Sequence, residues 1–92
     1  MRKFLIERRI PGVEQLDSCG FAEAARKSNG VLADLAPRAQ WIESYVVDGG
    51  TVCVYLAEDE QAIRDHAAKS GFPANKITEV RRMIDPTTAS ES

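Results

Sequence analysis

The sequence predicts an α+β fold of the ferredoxin-like βαββαβ type, a four-stranded antiparallel sheet with two helices on one face. Three observations carry this expectation. Segments of alternating apolarity and segments of three-to-four spacing follow one another in the order β-α-β-β-α-β. Asp48-Gly49-Gly50 lies between two adjacent strand-like runs, as a hairpin requires. The chain has 92 residues, enough for one core and one domain.

Each element has a local reason. "KFLIERRI" alternates as a strand, with Phe4, Ile6 and Ile10 on one face and Lys3, Glu7 and Arg9 on the other, and Pro11-Gly12 ends it. Phe21, Ala25, Ser28, Leu32 and Leu35 then form one apolar stripe at helical spacing. Asp17 or Ser18 can cap that helix, and Pro37 closes it. "AQWIESYVV" and "TVCVYLA" read as the second and third strands. "EDEQAIRDHAAKSG" reads as a second helix with an acidic first turn and Gly71 as its C-terminal cap. "KITEVRRMI" reads as the fourth strand. One domain is expected over 1–85, with a flexible polar tail over 86–92. Right-handed crossovers place strands 1 and 3 in the centre and strands 2 and 4 at the edges.

Composition narrows the function classes. A net charge of −2 with no dominant basic face argues against a protein that neutralises nucleic-acid phosphates. No apolar run reaches bilayer-spanning length, so no membrane association is expected. The N-terminal segment is interrupted by Glu7 and does not read as a signal peptide, which points to the cytoplasm. There, Cys19 and Cys53 are expected as free thiols.

Sorting strand residues by parity gives two faces. Phe4, Ile6, Ile10, Ile42, Val46, Val52, Val54, Leu56, Val80 and Ile84 are expected beneath the helices. The open face would carry Leu5, Glu7, Arg9, Trp41, Glu43, Tyr45, Val47, Cys53, Tyr55, Ile77, Glu79, Arg81 and Met83. Trp41, Tyr45 and Tyr55 suit a half-wet interface or a ligand-lined cavity, so a homodimer through this face is expected.

The only histidine, His66, falls on the inward stripe of the second helix with Ala62, Ile63, Ala67 and Ser70. It is either a core group with satisfied nitrogens or a titratable residue at a cavity edge. Imidazole, thiolate and carboxylate suit nickel, copper or zinc, which makes His66, Cys53, Glu7 and Glu43 the candidate ligands. By parity, Cys53, Glu7 and Glu43 would meet His66 only at a sheet edge or across a subunit interface. No HExxH, P-loop, GxGxxG or nucleophile elbow is present, and no catalytic residue is assigned.

Several blocks carry a resemblance: Trp41 with Ser44-Tyr45, Cys53-Val54-Tyr55, and Ile63-Arg64 to His66-Ala67 followed by Gly71-Phe72-Pro73. In this order they resemble a family of small bacterial proteins of unknown function. One branch is described as nickel-binding, ferredoxin-like and dimeric. The resemblance implies a dimeric protein that binds a divalent metal, nickel first, with His66 as the position carried over. Two other functions stay open. One is a dimeric α+β-barrel binder or enzyme for haem or an aromatic metabolite, with His66 as axial ligand or general base. The other is an interaction domain without a small ligand.

Overall fold

Residues 1–90 are described by a computed structural model, and their elements follow the predicted order. They are β1 (Arg2–Arg9), α1 (Ser18–Leu35), β2 (Ala39–Val47), β3 (Gly50–Ala57), α2 (Glu60–Ser70) and β4 (Lys76–Glu79). Short 3-10 turns at Val13–Gln15 and Pro86–Ser90 complete the set. The sheet is antiparallel with order β2-β3-β1-β4, so β1 and β3 are central as the crossover rule requires.

Both helices are capped from the sequence. Asp17 accepts from the Gly20 amide at 2.8 Å and Asp59 from the Ala62 amide at 2.9 Å. α2 stops at Gly71, whose φ of 78° lets its N–H return to the Ala67 carbonyl at 2.9 Å. The buried core joins Phe4 and Ile6 of β1, Tyr55 and Ala57 of β3, and Ala62 and Ile63 of α2. Gly50 permits the tight β1–β3 approach, because a Cβ there would lie 2.1 Å from the Arg8 carbonyl oxygen.

Three expectations are corrected. First, the fourth strand ends at Glu79 and does not extend through Ile84. Phe4 pairs with Glu79, and the last ladder bond runs from the Val80 amide to the Lys3 carbonyl, so β1 has almost no chain left to pair with. Second, β3 is turned over relative to the parity assignment. Cys53 lies opposite Ile6 and Tyr55 opposite Phe4, which puts both beneath the helices, and Val52, Val54 and Leu56 take the open face. Ile77 opposite Ile6 and Glu79 opposite Phe4 likewise share the helix side. Third, β2 carries a bulge between Trp41 and Glu43. Trp41 pairs with Tyr55 and faces inward, whereas Glu43 pairs with Val54 and faces out. Beyond the bulge, Ser44 and Val46 face in and Tyr45 and Val47 face out.

At the C-terminal end of the described residues, Asp85 organises the 3-10 turn at Pro86–Ser90. Its carboxylate accepts from the Thr87 amide at 2.9 Å, and its own amide donates to the Thr88 hydroxyl at 2.9 Å. Positions 91–92 of the expected tail lie outside the described residues.

Candidate functional site

The inward row of β3 brings Thr51, Cys53 and Tyr55 beneath α1, which does not fill the space above them. The result is a cavity of about 590 Å³ between α1, β2, β3 and two flanking segments. One flanking segment runs from Ile10 to Leu16 and the other from Gly71 to Pro73. Val13, Leu16, Phe21, Trp41, Val46 and Phe72 give apolar walls. Arg8, Ser28, Ser44, Thr51, Cys53 and Tyr55 supply the polar groups. A largely apolar cavity with a few convergent polar groups is the usual form of a small-molecule site.

Arg8 is the unusual member. It lies on the inward parity of β1 with Phe4 and Ile6 and is 6% exposed. Its Nη1 donates to the Pro73 carbonyl at 2.8 Å and the Phe72 carbonyl at 3.4 Å, which ties β1 to the segment after α2. Its guanidinium sits 5.9 Å from the Tyr55 ring centroid. Nη2 is buried without a hydrogen-bond partner, and among the described residues no carboxylate pairs with this cation.

Behind the cavity wall lies a buried polar row. The Ser28 hydroxyl is 3.4 Å from the Tyr55 hydroxyl and 3.0 Å from His66 Nε2. His66 itself is 0% exposed, and its ring centroid lies 5.3 Å from that of Tyr55. Burial, aided by the positive charge of Arg8, pushes its pKa down to about 4, so the imidazole is neutral near pH 7. Burial also raises the pKa of Tyr55, which stays a neutral phenol. His66 Nδ1 has no hydrogen-bond partner among the described residues. His66 is not among the cavity-lining residues, whereas its neighbours Ser28 and Tyr55 are.

The four expected metal ligands divide into two pairs. Cys53 lies in the cavity wall with its sulfur 3.4 Å from the Thr51 hydroxyl, and His66 is enclosed on the same side of the sheet. Parity had kept Cys53 away from His66, and the inverted β3 removes that separation. Glu7 and Glu43 lie on the open face, where Glu7 is 3.9 Å from the Lys76 ammonium and Glu43 accepts from the Tyr45 hydroxyl. No group of three or more His, Cys, Asp or Glu among the described residues is placed to hold a metal ion. The side chains of a single copy therefore do not fit a resident metal centre. Of the three aromatics expected around a ligand, Trp41 and Tyr55 line the cavity and Tyr45 is on the opposite face. Sequence reasoning missed Arg8, although the visible signal was a charged residue in phase with Phe4 and Ile6.

The architecture is that of a ferredoxin-like α+β domain with a cavity between its helical layer and its sheet. The chain belongs to the nickel-responsive protein family described as SCO4226-like, whose model matches residues 4–80. It is similar in fold to the crystal structure of SCO4226 from Streptomyces coelicolor A3(2), with a TM-score of 0.73 at 20% identity. That similarity covers 89% of this chain and 99% of the other. No curated protein matched. No helix among the described residues is long and apolar enough to cross a membrane.

Proposed function

We propose that this protein is a small-molecule-binding member of the nickel-responsive family, with the cavity beneath α1 as its working site. The cavity of about 590 Å³, apolar in its walls and polar at Arg8, Cys53 and Tyr55, carries this reading. Trp41 is the only tryptophan and lines the cavity, so its emission reports occupancy directly. The neutral dye N-phenyl-1-naphthylamine is expected to brighten on addition to the protein and to quench Trp41. Ala25→Phe, which fills the cavity from α1, is expected to abolish both signals. A dye response that survives Ala25→Phe, or no response from the native chain, overturns the reading.

The family description favours a second reading, direct binding of nickel or another divalent transition metal. One copy lacks three converging ligands, so this reading requires a homodimer. Its natural interface is the open sheet face, where Leu5, Val52, Val54 and Leu56 are half-buried and Tyr45 and Val47 are exposed. Pairing there would bring Glu7 and Glu43 of both copies to one interface. A tag-free sample titrated with Ni²⁺ by calorimetry is expected to give heat that Glu7→Gln/Glu43→Gln removes. No heat at high micromolar Ni²⁺ refutes the metal reading, and heat lost only in His66→Asn moves the metal inside the fold. A reducing, cytoplasmic setting fits the free thiols of Cys19 and Cys53.

A further inference from the structure

Arg8 presents an unfinished hydrogen-bond set in the wall of an apolar cavity. An arginine side chain stays charged at any relevant pH and carries five donors. Here two backbone carbonyls engage Nη1, an aromatic ring faces the guanidinium, and Nη2 has no acceptor among the described residues. Enclosing a cation without a counter-charge is costly, and burying a donor without an acceptor adds to that cost. Arginines in surface pairs of this chain show the contrast. Arg2 meets Glu79, Arg38 meets Glu58 and Asp65, and Arg64 meets Glu60, in exposed or half-buried settings. The buried arginine alone among these lacks a carboxylate.

From this geometry we infer that the cavity takes an apolar molecule bearing one carboxylate, which supplies the counter-charge that Arg8 lacks in the cavity wall. The inference rests on the cavity being a ligand site and names the chemistry of its occupant. The carboxylate supplies the missing negative charge, and charge-assisted contacts of this kind are the strong ones. Phe21, Trp41, Val46 and Phe72 receive the apolar body. The Thr51 and Tyr55 hydroxyls of β3, on the same inward face of the sheet as Arg8, offer further donors to the carboxylate. A dianion fits poorly, because Arg8 is the only cationic side chain in the wall apart from Lys27, whose ammonium lies 5.3 Å from the Phe72 ring at the rim. The fixed position of Arg8 matters as much as its charge. Its link to the Phe72 and Pro73 carbonyls holds the guanidinium in place before the ligand arrives, so little is lost in ordering it.

The test compares decanoate with decanol, which share an apolar body and differ in charge, by titration of Trp41 emission. Decanoate is expected to bind about tenfold to a hundredfold more tightly than decanol, the range of a hydrogen bond to a charged group. Arg8→Gln is expected to bring the two affinities together, with decanol unchanged. Circular dichroism checks that this variant is folded. If it does not fold, decylamine on the native chain takes its place and is expected to bind more weakly than decanol. Equal affinities for decanoate and decanol overturn the carboxylate inference and leave the cavity reading intact. Failure of both ligands, together with the neutral dye, overturns the two readings at once.

Discussion

Protonating His66 works against its surroundings. Enclosure and the nearby Arg8 charge hold its pKa near 4, below the ordinary value of 6.5. The unfolded chain therefore takes up a proton between about pH 6.5 and 4 that the folded chain refuses. Stability from this group is fully present above pH 6.5 and is lost as pH falls through that window, by up to about 3 kcal/mol. Urea midpoints measured from pH 7.5 to 4 are expected to fall, and His66→Asn is expected to flatten that slope. Gly50 gives a second residue-level outcome. A Cβ placed 2.1 Å from the Arg8 carbonyl oxygen forces β1 and β3 apart, so Gly50→Ala is expected to cost about 2–4 kcal/mol in urea unfolding. At this scale the sequence was partly legible. The inward position of His66 followed from helical spacing, but its hydrogen bond to Ser28 joins residues on two helices and leaves no trace in a local pattern.

Elements announced themselves where their chemistry was local. The Asp17 cap, the Gly49 turn and the Gly71 stop all appear where propensity puts them. Removing one cap has a bounded cost. Asp59→Ala leaves the Ala62 amide without its acceptor and is expected to destabilise the fold by about 1 kcal/mol, read from the thermal midpoint. Strand orientation was less legible. On β3 the aliphatic set Val52, Val54 and Leu56 looked like the core set, yet Cys53, Tyr55 and Ala57 are the buried ones. Alternation reports that two faces differ, not which of them the helices cover. That choice is made by long-range pairing with β1, whose Phe4 and Ile6 are fully enclosed. The fourth strand was overextended for a related reason, since apolar residues past Glu79 have no partner strand left.

At the scale of the molecule, the order of elements fixed the sheet order, because crossover handedness leaves few alternatives. The aromatic residues pointed to a ligand-lined cavity but on the wrong face of the sheet, since the cavity exists only where α1, the hairpin and the segment after α2 meet. The inverted β3 leaves an aliphatic sheet face half-exposed, and that area favours a second copy as its cover. Light scattering after size exclusion is expected to give twice the 10.1 kDa chain mass. Val54→Asp, which places a charge in the middle of that face, is expected to give the monomer. A native monomer would remove the proposed interface and the shared metal site with it.

The bulge in β2 has a consequence for sequence drift. Ile42 is the one residue of the strand without a partner across the β2–β3 ladder, and it is half-exposed. Deleting it would leave Trp41 and Ser44 turned towards the cavity and Glu43 and Tyr45 turned away. Deleting any residue from 43 to 46 would instead exchange the two sides for part of the hairpin. Descendants of this chain are therefore free to vary in length at position 42 and are held to a fixed length just beyond it.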